Sequence, residues 1–133
     1  MARVTTAVEV ADRLYERWNA DGLHALGDCI DPSVELITDP LRRQESALRG
    51  VDGWRQWVER WEQRYAGVHI TVDGLVPVDA EHVLAFVTIS ATPAGGSATL
   101  HWAAAHLWTL RAGRIAGWET HLDLEAARST LDA

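Results

Sequence analysis

Cysteine, positive charge and long apolar runs are what this sequence has least of. Cys29 is the single cysteine in 133 residues, so an internal disulfide and a cysteine metal cluster are both excluded. In Leu26-Gly27-Asp28-Cys29-Ile30 it reads as a small buried hydrophobe. Twelve Lys and Arg stand against nineteen Asp and Glu, a net charge of −7. A basic face able to displace counterions is therefore missing, and nucleic acid and anionic membrane are not expected partners. No apolar stretch approaches the ~20 residues of a membrane span. Met1-Ala2-Arg3-Val4-Thr5 lacks the apolar segment of a signal peptide, so a cytoplasmic protein is expected. Internal repeats, linkers and low-complexity tracts are also missing.

What is abundant is large apolar surface: 47% of residues are hydrophobic and seven are tryptophan. The length suits one domain over residues 1–133 with a sizeable core. So much aromatic area suggests that part of it lines a cavity for a neutral or weakly polar ligand.

Thr6 followed by Glu9 has capping-box spacing. Ala7, Val10, Ala11, Leu14 and Trp18 then recur at helical period until Asp21-Gly22 ends the run. A second short helix is expected over Leu23 to Cys29, then a strand from Val34 to Thr38 closed by Asp39-Pro40. Residues 41–49 show no period and read as a loop that gates the pocket or lies solvated with its charges Arg42, Arg43, Glu45 and Arg49. A third helix from Gly50 carries the stripe Trp54, Trp57, Val58, Trp61, Tyr65, read as helix-to-sheet packing. The remainder is strand: around Val68 to Asp73, His82 to Thr92, Ser97 to Leu110 and Arg114 to Asp123, with turns at 78–81, 93–96 and 112–113. A terminal helix follows over 124–131.

Helices followed by four long antiparallel strands predict an α+β domain, helices on one face of a bent sheet. Strand period sorts the side chains. Leu100, Trp102, Ala104, His106, Trp108 and Leu110 should face the helices, with Ala116, Trp118, Thr120 and Leu122 beside them. His101, Glu119, His121 and Asp123 fall on the other face, where imidazole and carboxylate mix without a tight metal-ligand spacing; no metal is expected there.

The order of elements, with Asn19-Ala20-Asp21-Gly22, Arg49-Gly50 before a helix, and Leu107 to Ile115 as Leu-Trp-Thr-Leu-Arg-Ala-Gly-Arg-Ile, resembles the SnoaL-like branch of the NTF2-like superfamily across nearly the whole chain. The resemblance implies an NTF2-like conical barrel, a curved antiparallel sheet wrapped by N-terminal helices around a pocket, commonly as a homodimer that packs through the outer sheet face. Polyketide cyclases, ketosteroid isomerases, limonene epoxide hydrolases and non-catalytic binding modules share that fold, and fold alone does not choose among them. The stretch from Gly113 to Leu124 is similar to limonene epoxide hydrolases, whose pocket aspartate is here Thr120. Their earlier Arg-x-Asp pair has no counterpart in Phe86-Val87-Thr88-Ile89. Leu36 to Pro40 resembles the strand end that presents the base of ketosteroid isomerases, which places Asp39 there. The same comparison puts Leu14 at their oxyanion-hole tyrosine, with Tyr15 one step round, and His106 at their oxyanion-hole aspartate.

The resulting candidates are Asp39 as a carbon-acid base and His106 as the donor to the oxyanion. Tyr15 and Thr120 are minor polar contacts, and Trp18, Trp102, Trp108 and Trp118 are walls for a small apolar or polycyclic molecule. No cofactor is expected. The alternatives are that Asp39 only closes a turn, that His106 is a hydrogen-bonded core residue, and that the tryptophans are plain core. Isomerisation or cyclisation of a ketone or polyketide-like substrate is the leading expectation. A binding or dimerisation module and an epoxide hydrolase are its rivals.

Overall fold

The computed structural model describes residues 6–129. Helix α1 spans Ala7–Asp21, with Thr6 as its cap: the Thr6 hydroxyl accepts from the Glu9 N–H at 3.2 Å. Gly22, at φ 94°, ends it in a conformation open to glycine. Ala11, Leu14, Tyr15 and Trp18 form its buried stripe. Asn19 binds the Ile70 backbone twice, accepting from its N–H and donating to its carbonyl, each at 2.7 Å. Those bonds fix the helix against strand β3 (Tyr65–Pro77).

A 3-10 turn over Leu23–Cys29 leads into β1 (Ile30–Ile37), which starts earlier than the sequence suggests. Asp31-Pro32-Ser33 interrupts its register, because proline has no N–H and Asp31 instead caps the Ser33 N–H at 2.8 Å. The segment 41–49, expected as a loop, is structured. A 3-10 turn Pro40–Arg42 and a one-turn helix α2 (Arg43–Ser46) lead to a three-residue strand β2 (Ala47–Arg49) paired antiparallel with β1. Elements this short leave no readable period, and side-chain bonds define them instead. Ser46 Oγ accepts from the Asp39 N–H at 3.1 Å and donates to its carbonyl at 2.9 Å.

Helix α3 (Gly50–Arg64) buries Trp54, Trp57 and Val58, as its stripe predicts. β4 (His82–Pro93), β5 (Leu100–Arg111) and β6 (Arg114–His121) complete a curved, unclosed sheet of order β2-β1-β6-β5-β4-β3. The four long strands and the short one expected before them are all present, β2 is the addition, and the sheet is mixed: β1 runs parallel to β6 while every other pair is antiparallel. The β5–β6 turn is Ala112-Gly113, both at positive φ (54° and 77°), as a two-residue hairpin that follows strand twist requires.

The face assignment holds for Trp102, Ala104, His106, Trp108, Leu110 and Trp118, which lie on the helix side. Three positions need correction. Thr109 pairs with Gly117 and Leu110 with Ile115, so Ala116 is the extra residue of a bulge, and Ile115 takes the core place expected for Ala116. Leu122 lies past the end of β6 and is 71% exposed, and Leu100, the first residue of β5, is 47% exposed. The opposite face is covered in part by helix α4 (Leu124–Ser129), whose Leu124 and Ala127 pack on Leu84, Phe86, Ala105 and Leu107. Residues 130 and 131 of the expected terminal helix lie outside the described residues. Among the described residues no helix is long and apolar enough to cross a membrane.

Candidate functional site

Helix α1 and strand β5 meet at Tyr15, His106 and Trp108, none more than 1% exposed. Trp108 Nε1–H can only donate, and Tyr15 Oη accepts it at 2.8 Å. Tyr15 Oη is also 2.7 Å from His106 Nδ1. If the phenol donates to Nδ1, the imidazole proton sits on Nε2 and one polar group stays unpaired. If Nδ1–H donates instead, both the phenol hydrogen and a bare Nε2 are left over. The first arrangement strands fewer buried groups, at ~1–3 kcal/mol each, and is the one adopted. His106 is then a neutral donor through Nε2–H, which has no partner among the described residues.

Burial and, secondarily, the charge of His121 push the His106 pKa from 6.5 down to about 3. Burial likewise pushes the Tyr15 phenol above its ordinary value, against a smaller lowering by the Trp108 hydrogen bond. At neutral pH neither group is charged, and His106 has no free lone pair with which to act as a base.

Around this chain the aromatic rings close in. Trp18 stacks near-parallel to Tyr15 and His106 at 6.2 and 6.4 Å. Trp118 lies 4.9 Å from His106 and 4.4 Å from Trp57, and its Nε1 is also buried without a partner. Thr120 is half-buried and pairs with His106 across β5–β6, on the same face. Trp102 stands apart from this group, half-buried against Tyr65 at 5.7 Å. The residues that the sequence singled out thus divide. Tyr15, Trp18, His106, Trp108, Trp118 and Thr120 cluster, while Trp102 belongs to a neighbouring Trp61–Tyr65 group.

Asp39 follows β1, two residues beyond Ile37, the partner of Glu119 on β6. It is half-buried, and its carboxylate caps the next turn by accepting the Leu41 N–H at 3.1 Å. Arg43, from the same segment, makes a two-pronged bond to Glu119, and His121 Nε2 lies 3.0 Å from Glu119 Oε1, off the line of a hydrogen bond. On that outer face His101 bonds Ser90 at 2.8 Å, away from the Glu119 group.

Two cavities flank the cluster. One of about 580 Å³ lies between Val10, Arg13, Leu14 and Arg17 of α1, Cys29, and the turn at Ala112-Gly113. The other, about 340 Å³, is walled by Trp18, Trp61, Tyr65 and Val68 with His24 and Glu62 at its edge. Trp18 is the one predicted site residue on either wall. The space beside His106 is filled by Tyr15, Trp18, Trp108 and Trp118, with Trp57 behind Trp118. The sequence reading missed Trp57 as a neighbour of the site and gave Tyr15 too small a part. The available signal was the spacing 11, 14, 15, 18, which puts Tyr15 inside the buried stripe of α1.

No curated protein matches this sequence significantly. Several solved structures share its fold at identities too low to carry function. An NTF2-like protein of unknown function from Burkholderia pseudomallei K96243 is 16% identical, with 98% of this chain and 100% of that one covered and a TM-score of 0.74. A putative SnoaL-like polyketide cyclase from Jannaschia sp. CCS1 is 17% identical, with 100% and 98% covered and a TM-score of 0.72. An epoxide hydrolase of M. tuberculosis, described as LEH-like, is 14% identical, with 94% and 88% covered and a TM-score of 0.70. The family model for the SnoaL-like domain matches residues 11–118, from the middle of α1 to Trp118. With that match and a curved sheet shared with NTF2-like structures, the chain belongs to the SnoaL-like domain family.

Proposed function

We propose that this protein is a cofactor-independent acid–base enzyme that isomerises or cyclises a flat, mostly apolar ketone or polyketide-like molecule. The observation that carries this reading is the buried His106 Nε2–H, unpaired at the end of the Trp108–Tyr15 chain and walled by aromatic rings. A fixed neutral donor in a buried aromatic site stabilises the oxygen charge that develops when a proton leaves the carbon next to a carbonyl. Asp39, at the end of β1, is the base in this reading. To act, its carboxylate leaves the Leu41 N–H and turns toward the substrate, and the aromatic rings part to admit it. A putative polyketide cyclase of the same fold is consistent with this chemistry.

The test is deuterium uptake at the α-carbon of a panel of ketones and enones incubated in heavy water. Uptake by the wild type that disappears in Asp39→Asn supports the reading. Uptake that persists in Asp39→Asn removes Asp39 from the role of base.

A second reading, a non-catalytic binding module, is favoured by the use of Asp39 as a turn cap and by the tight filling around His106. It predicts ligand-dependent tryptophan quenching without uptake in either protein. Epoxide hydrolysis has less support, since Thr120 stands where the related hydrolases carry a carboxylate.

A further inference from the structure

Two nitrogens in the aromatic interior are buried without a partner among the described residues, and they are neighbours: His106 Nε2 and Trp118 Nε1, on rings whose centroids are 4.9 Å apart. His106 is 0% and Trp118 3% exposed. The Tyr15 hydroxyl is the partner of neither: it accepts from Trp108 and donates to His106 Nδ1, and makes no bond to His106 Nε2 or to the Trp118 indole. Its hydrogen is likewise not available to a ligand. Tyr15 is therefore a positioning residue that fixes the His106 tautomer, and a second contact to a ligand has to come from elsewhere.

We propose that His106 Nε2–H and Trp118 Nε1–H together hold one oxygen atom of the ligand. Trp118 is on this view a specificity-determining donor as well as a wall. The ligand class follows from the donors. An sp² oxygen has two lone pairs and accepts from both nitrogens at once, whereas an indole N–H never accepts and the tautomer set by Tyr15 leaves His106 Nε2 unable to. The site therefore takes a carbonyl or enolate oxygen at the edge of a flat apolar molecule. It rejects a same-shaped hydrocarbon, which would leave two buried donors unpaired. This rests on the internal ligand site proposed above, and it adds the second donor and the discrimination that comes from it.

The probes are 2-acetylnaphthalene and 2-isopropenylnaphthalene, nearly equal in shape and differing by C=O against C=CH₂. Binding of each to the full-length wild type and to Trp118→Phe is measured by calorimetry. The wild type is expected to prefer the ketone by about tenfold or more. In Trp118→Phe that preference is expected to fall about three- to tenfold while affinity for the hydrocarbon stays the same, as the loss of one hydrogen bond predicts.

A second readout is independent of the variant's stability. In ¹⁵N-labelled wild type, the Trp118 indole resonance, assigned by its loss in Trp118→Phe, should move downfield in its proton shift with the ketone and not with the hydrocarbon. Equal preference in both proteins overturns the proposal, as does failure of the ketone to bind the wild type. An indole resonance that the ketone leaves unmoved also overturns it, and assigns the donors to a resident water. The catalytic reading fails separately: a ketone preference that depends on Trp118, without deuterium uptake, keeps the oxygen site and removes the enzyme.

Discussion

Between the ordinary histidine value of 6.5 and the value of about 3 to which burial pushes His106, the unfolded chain holds a proton that the folded chain refuses. Stability from this group is complete above pH 6.5 and is lost as pH falls through that window, by about 1.4 kcal/mol per pH unit at most. The groups facing the ring, Tyr15, Trp18, Trp108 and Trp118, are uncharged and offer the proton no compensation; His121 adds repulsion. Denaturant unfolding followed from pH 7 to pH 4 should show this decline, and His106→Gln, which keeps an N–H donor but does not titrate, should flatten it. An equal slope in both proteins would place the acid sensitivity elsewhere. Tyr15, which sets the tautomer of His106, comes from α1, 91 residues away, so neither the neutral imidazole nor its tautomer follows from the residues near His106 in sequence.

Helix α3 supplies Trp57, whose ring meets both Trp18 and Trp118, so the site depends on where that helix sits. Gly53 sets the spacing. A Cβ there would lie 2.7 Å from the Leu48 carbonyl carbon of β2 and 3.2 Å from its Cα. Backbone atoms cannot swing aside as a side-chain tip does, so Gly53→Ala should force the helix away from β2 and cost about 1–3 kcal/mol, despite alanine's better helix propensity. A melting temperature at or above that of the wild type would show that the contact relaxes freely. In sequence Gly53 is only a glycine in the first turn of a helix. Its function as a spacer becomes visible when β2, too short to leave a pattern, is seen folded back beside it.

At the scale of the whole molecule, the aromatic interior serves as core and candidate site at once. Trp57 is 2% exposed and packs on Trp18, Trp54 and Trp118. Trp57→Ala should therefore cost about 3–5 kcal/mol and leave a cavity beside the unpaired nitrogens. Indole or naphthalene added to this variant should recover part of the lost melting temperature, as a ligand that binds only the folded state does. No recovery would mean that the space collapses. The α+β class, helices α1 and α3, the long strands and the inward face carrying His106, Trp108 and Trp118 were all legible beforehand. They rest on periods of 3.6 and 2 sustained over many residues, which local sterics and burial impose on any chain. The parallel pairing of β1 with β6, the bulge at Ala116, the folded segment after Asp39 and the tautomer of His106 were decided by the tertiary structure alone. Three depend on a partner distant in sequence, Ile37 beside Glu119, Arg43 on Glu119, and Tyr15 bonded to a histidine 91 residues away, and the bulge depends on the register in which Thr109 meets Gly117 across the hairpin.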